Sequence, residues 1–196
     1  MPSTNKKHSE VVESTLSQWI SQGWYGCKSP PFGSLVNSTG DDCTIYGVVT
    51  SMSYVSADTL YTPIAFQQTP EELEQNHPEI FEFLCIRSTC TVVGYQASEK
   101  IVHQLPPSPA RIHTPVQAAS SEEYQLFFAQ ESYLHLLAQY HPQECMLDDI
   151  VLALLQNRAM HTKMDDVQLA LCIEAFSHIV HYDYHRLRRL LQRLTK

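Results

Sequence analysis

Along the chain, apolar and polar positions fall into three rhythms. From Ser9 to about Gly23, the apolar residues Val12, Leu16, Trp19 and Ile20 recur at helical spacing, and Gly23 and Gly26 follow as stops. This pattern predicts a short N-terminal helix. From Pro30 to about Leu105 the composition becomes that of strands. A short apolar-polar run over Phe32 to Asn37 leads into Ser38–Thr39–Gly40–Asp41–Asp42, which is turn chemistry. The run Cys43 to Val55, CTIYGVVTSMSYV, is rich in β-branched and aromatic residues. Gly47 inside it predicts a bulge or sharp bend, of the kind small barrels use at corners. A further short strand is expected over Leu60 to Phe66, with Pro63 making it an edge or irregular one.

A helical insertion interrupts the strands. Thr69–Pro70–Glu71–Glu72 reads as an N-cap, a proline at the first helical position and acids in the first turn. Asn76–His77–Pro78 breaks that helix, and Pro78 can open a second one through EIFEFL. Cys85 to Tyr95 returns to strand composition, with Thr89, Thr91, Val93 and Tyr95 expected on one face, and Ile101 to Leu105 is a closing strand.

The stretch Leu105 to Pro115 holds four prolines and excludes regular helix or a central strand. It reads as a linker. Beyond it the pattern is helical. Ser120 and Glu123 form a capping box for a helix running to Tyr140. A second helix spans about Met146 to His161, and its apolar segment IVLALL makes it the central one. Thr162 with Asp165 resembles another cap, opening a long helix from about Met164 to Leu194. The expected organisation is an N-terminal helix and linker over 1–29, a small β-barrel over 30–110 and an α-helical domain over 116–196. The fold class is α+β, a small β-barrel followed by an α-helical C-terminal domain.

Charge changes this picture at one end only. The formal net charge of −8 splits into −13 over residues 1–185 and +5 over the last eleven. An acidic body repels nucleic acid and anionic membranes. The basic helix end HRLRRLLQRLTK keeps an apolar stripe of Leu187, Leu190, Leu191 and Leu194 beside Arg186, Arg189 and Arg193. Those arginines are either favourable cations at a helix C-terminus or a surface that touches a partner or phosphate. The six cysteines are scattered without a CxxC pair, which fits free thiols and not a zinc ribbon. No apolar run is long enough to span a bilayer, and no apolar segment follows the lysines of the N-terminus, so a cytoplasmic protein is expected.

Little in the chain reads as catalytic. The six glycines form neither GxxxxGK[ST] nor GxGxxG, and GxSxG is missing. Asp148–Asp149 and Asp165–Asp166 sit at expected helix starts, where they complement the helix dipole. His178, His181 and His185 fall on one face of the expected last helix with Asp183 nearby. Imidazoles so placed could hold a metal or could line a solvated face. No catalytic residue, cofactor or resident metal is assigned.

The segment from about Ser34 to Ala110 resembles the HAS-barrel, the small β-barrel shared by HerA-type DNA-translocating ATPases and rotary ATP synthase head subunits. The residues that carry the likeness are TIYGVVTSMSYV, TVVGYQ and IVHQLPPSPARIH. With TPEELEQNHPEIFEFL, the chain looks similar to a cyanobacterial group of stand-alone HAS-barrel proteins. The resemblance implies docking or assembly, with a separately encoded HerA-like ATPase as one partner. The motor domain of those ATPases has no counterpart here, and no catalytic residue carries over. The expected function is a non-catalytic protein-interaction or assembly module. The alternative is a nucleic-acid-associated protein acting through the basic C-terminal helix, although the acidic body predicts weak or no such binding.

The missing phosphate loop predicts that purified protein neither binds nor hydrolyses ATP. Titration calorimetry checks this. Saturable nucleotide binding that a point mutation in a pocket abolishes contradicts it.

Overall fold

The structure, a computed structural model, describes residues 8–58, 64–98, 100–142, 145–163 and 166–194. Its strands are β1 (Ser9–Ser14), β2 (Gln18–Trp24), β3 (Leu35–Thr39), β4 (Thr44–Ser56), β5 (Leu84–Ala97), β6 (Lys100–Val102) and β7 (Pro115–Ala118). Six of them close into an antiparallel ring in the order β2-β1-β7-β3-β4-β5. The ring closes where Gln18–Trp24 of β2 pairs with Thr91–Cys85 of β5. β6 adds to the far end of β5, outside the ring. The described residues after the barrel are helical from Ser121 onward, in the α+β arrangement expected.

Two strand regions correct the sequence reading. The helix expected over residues 9–23 is the β1–β2 hairpin. Ser9, Val11, Trp19, Ser21 and Gly23 are its buried positions, on alternate residues of each strand. A period of two puts one side of a strand in the core. The four residues that suggested a helix fit that spacing by coincidence, because small Ser21 and Gly23 occupy core positions. The hairpin turns at Thr15–Gln18, where the Thr15 N–H donates to the Gln18 carbonyl at 2.8 Å. The second correction is β7, which lies beyond the proline-rich stretch and pairs with β1 and β3. Pro115 is tolerated as its first residue, where a missing N–H costs least. Strands are therefore not confined to about 32–105. Part of the strand expected over 60–66 lies outside the described residues, and 64–66 are not in a strand.

The barrel interior is filled from every strand of the ring, with Val11, Trp19, Val36, Ile45, Val49, Cys90, Val92 and Val116 among its buried residues. Two bulges shape the β4–β5 pair. Tyr46 faces Gly94 while Gly47 faces Val92, so Val93 is an extra residue. Val49 faces Cys90 while Ser51 faces Thr89, so Thr50 is the other. A bulge shifts which side chains point inward. As a result Thr89, Thr91, Val93 and Tyr95 do not share one face. Val93 packs outward against the helices, and Tyr95 packs against the interior.

The helices are α1 (Pro70–Asn76), α2 (Pro78–Phe83), α3 (Ser121–Phe127), α4 (Tyr133–Tyr140), α5 (Leu147–His161), α6 (Asp166–Ile179) and α7 (Tyr184–Leu194). Of these, α3 to α7 cover the outer wall of the barrel. Capping boxes open α1 at Thr69–Glu72 and α3 at Ser120–Glu123, as expected. Pro78 opens α2. Leu35, Tyr46, Val48 and Val93 of the barrel wall share one core with Tyr124, Phe127, Leu137, Ile150 and Leu154. The Leu35 N–H donates to the Tyr124 hydroxyl oxygen at 2.9 Å, and Asn37 and Tyr46 both donate to Glu123. Burial, with the nearby Glu123 charge, pushes the Tyr46 phenol well up, so it stays a donor.

Two long helices expected from the pattern are each broken. The one over 120–140 stops at Phe127 and restarts at Tyr133. The one over 164–194 stops at Ile179 and restarts at Tyr184. There His181 and Tyr182 take left-handed backbone, with φ of 53° and 57°. A continuous helix cannot pass through such residues. Asp183 then accepts the amide N–H groups of Arg186 and His185, each at 3.0 Å, and starts α7. Thr162, read as a cap for the last helix, instead ends α5, and Asp165 lies outside the described residues.

Gly47 lies against the Trp19 ring, which occupies the space a side chain would need. Gly47→Ala is expected to destabilise the fold by about 1–3 kcal/mol through overpacking. Urea unfolding measures it, and an unchanged midpoint contradicts this account of the interior.

Candidate functional site

The arginines singled out on the last helix are partly occupied within the chain. Arg186 holds Asp148 through two nitrogens, with Nε at 2.8 Å from Oδ1 and Nη2 at 2.7 Å from the same oxygen. Arg193 reaches Asp149 at 2.6 Å. The Arg189 Nε donates to the His185 carbonyl at 3.4 Å. Asp148 and Asp149 stand in the first turn of α5, as expected, and so serve as a dock for α7 as well as dipole partners. The turn between α6 and α7 separates His178 from His185, so the three histidines do not share a helix face. His178 is hydrogen-bonded to the Tyr182 hydroxyl, with Nδ1 2.8 Å away. Among the described residues no three His, Cys, Asp or Glu side chains are placed to hold a metal ion.

A cavity of about 550 Å³ opens between the α3–α4 break and α6, lined by Phe128, Glu131, His135, Leu171, Glu174 and His178. Its inner wall rests on a buried ion pair. Arg158 is 2% exposed, and its Nη1 lies 3.0 Å from Glu131 Oε1. The Arg158 Nη2 donates to the Phe128 carbonyl at 3.2 Å, and the guanidinium covers the Phe128 ring at 4.7 Å. This pairing meets the backbone carbonyl that the helix break frees. Tyr133 and Cys172 are buried beside it. Burial, with the Glu131 carboxylate, pushes the Cys172 thiol up to about 12, which keeps it an inert neutral group. All six cysteines are free.

The third site is at one mouth of the barrel, and its origin is the mismatch between strand lengths. β3 pairs with β4 only from Thr44 to Val48. β4 continues with β5 to Ser56. Paired residues of antiparallel strands project to the same side. Cys90 faces the interior, so Ser88 and Ile86 follow it there, and their partners Met52 and Tyr54 take that same face. The inner surface of the barrel thus runs outward past its closed part. Tyr25, directly after β2, joins this surface, with its ring 6.4 Å from that of Tyr54 and 5.2 Å from that of Phe81 on α2. Tyr54 is 66% exposed, and Tyr25 and Met52 on the same surface are exposed too.

Contiguous exposed aromatic surface of this kind marks contact sites, because Tyr and Trp bring large apolar area at small entropic cost. The sequence reading took Met52 and Tyr54 as ordinary strand residues. Their orientation depends on the bulge at Thr50, which no local motif announces. The apolar rings of Trp24 and Tyr25 next to Gly26 are the signal that a hairpin reading of residues 9–24 makes visible. No protein-family model matches the chain, and no curated protein matches it.

Removing one partner of the buried pair leaves an uncompensated charge. Arg158→Met alone is expected to cost about 3–5 kcal/mol, and the double variant Arg158→Met/Glu131→Leu to regain most of it. Denaturant titration of both checks this. Equal stability of the single variant and the wild type contradicts it.

Proposed function

We propose that the protein is a non-catalytic interaction or assembly module that docks a protein partner at the mouth of its barrel. The observation that carries this reading is the cluster of exposed Tyr25, Tyr54 and Met52, with half-buried Phe81 against Tyr25, on an extension of the interior face. Burying such a surface stabilises a complex through desolvated aromatic anchors. A rigid barrel fixes their positions in advance, so little ordering entropy is lost on binding.

The closed six-stranded antiparallel barrel is compatible with a HAS-barrel. In that reading the partner belongs to a larger assembly, and a separately encoded HerA-like ATPase is the form the resemblance suggests. The helices behind the barrel then act as a brace. They cover the outer wall of β3, β4 and β5 and leave the mouth open.

The test is affinity capture with quantitative mass spectrometry, comparing three proteins of matched fold. They are the wild type, Tyr25→Ser/Tyr54→Ser and Arg188→Gln/Arg189→Gln. Exposed substitutions such as these change stability by only about 0.5 kcal/mol. The specific partners of the wild type are expected to fall at least about tenfold with the tyrosine variant and to persist with the arginine variant. Retention of the same partners by the tyrosine variant contradicts the proposal.

A further inference from the structure

We propose that the occupant of the barrel mouth is a basic, extended peptide segment of the partner, added as a new strand to the edge of β4 at Met52–Ser56 that no described strand pairs. This rests on the reading of the mouth as the docking site and goes on to say what docks.

The edge follows from hydrogen-bond direction. The Ala57 N–H donates to the Phe83 carbonyl, toward β5. Successive residues of a strand turn their N–H and C=O groups to opposite edges. Val55 and Ser53 therefore face β5, while Ser56, Tyr54 and Met52 direct theirs the other way. Lower on β4, Val49 turns its groups to that same side and is met there by Gly33 and Ser34, at 2.8 and 3.0 Å. Above Val49, no described strand pairs with this edge.

Natural proteins blunt free edges with charged residues, inward-pointing charges or proline. The segment Ser51-Met52-Ser53-Tyr54-Val55-Ser56 has none of these. An added strand would gain main-chain hydrogen bonds from the edge. Its alternate side chains would lie beside Met52 and Tyr54 on the inward face, which is how strand addition combines affinity with specificity.

Charge selects the chemistry of that strand. Residues 58–86 carry six acids, Asp58, Glu71, Glu72, Glu74, Glu79 and Glu82, and no lysine or arginine. All six are exposed, and Glu79 and Glu82 lie on α2 with the aromatic Phe81 and Phe83. Arg87, the first cation after them, is paired with Glu13 at 3.3 Å. A lysine- or arginine-bearing strand is complementary to this rim. A second copy of the chain is not, because pairing two β4 edges brings two such acidic excursions together.

The probe is a fluorescent seven-residue peptide alternating lysine and valine. Its controls are the same peptide with alternate backbone nitrogens methylated and a glutamate–valine version. Binding is read by anisotropy and by amide shifts in nitrogen-15 spectra. The lysine peptide is expected to bind saturably, more weakly as salt rises, and to shift the Met52, Tyr54 and Ser56 amides. The methylated peptide should bind at least about tenfold more weakly, since it keeps charge and side chains but loses the edge bonds. The glutamate peptide should not bind. Equal binding of the methylated peptide, binding of the glutamate peptide, absence of lysine-peptide binding, or shifts elsewhere on the molecule each overturn the proposal. So does a concentration-dependent dimer that Tyr54→Lys abolishes, which assigns the edge to a second copy. If captured partners depend on Tyr25 and Tyr54 while the methylated peptide binds equally, the docking site stands and strand addition falls. If captured partners ignore those tyrosines, the docking site itself falls.

Discussion

A closed barrel leaves no edge unpaired along the length of its shortest strands, and β4 is too long for the barrel it helps to close. It runs 13 residues, whereas β3 beside it runs five. β5, at 14 residues, keeps one edge of β4 covered to the end. Among the described residues, the other edge is paired only as far as β3 and the Gly33–Ser34 loop reach. What remains is a ribbon of β4 and β5, flanked by β2, whose inward face is a continuation of the core. Everything proposed for this protein depends on that excess length.

Two other features hold the ribbon in place. The β1–β2 hairpin takes the opposite edge of β5 from Cys85 to Thr91, so the ribbon is supported to its tip on one side. The helices take the outer wall through a common core, with the Tyr124 hydroxyl on the Leu35 amide and the Gln18 amide on the Tyr140 carbonyl as polar ties. The buried Arg158–Glu131 pair fixes the break between α3 and α4, which turns the Phe127–Phe128–Tyr133 aromatic cluster onto the barrel. α7 closes the far side through Arg186 and Arg193 on the first turn of α5. The helical half thereby packs on the barrel wall, and in the proposed reading the mouth is what binds.

Local chemistry made much of this legible before any coordinates. The capping boxes at Thr69–Glu72 and Ser120–Glu123, the proline start at Pro78 and the helix over 147–161 each show in patterns within a few residues. The misread parts depend on distant partners. Residues 9–24 look weakly helical until β5 needs an edge partner, because Ser21 and Gly23 hide the period of two. Pro115–Ala118 looks like linker until β1 and β3 flank it. The breaks at 128–132 and 180–183 contain no glycine or proline to announce them. The mouth was the least legible of all, since the bulge at Thr50 decides which way Met52 and Tyr54 point.

The central claim is that β4 carries a free edge and an outward-running interior face in the unliganded protein. Residue-resolved amide hydrogen exchange measures it directly. Buried, paired amides exchange slowly, and edge amides open to water exchange fast. The account predicts slow exchange at Ser53 and Val55, which face β5, alternating with fast exchange at Met52, Tyr54 and Ser56. Uniform protection from Ser51 to Ser56 would contradict it, because the edge would then already be covered.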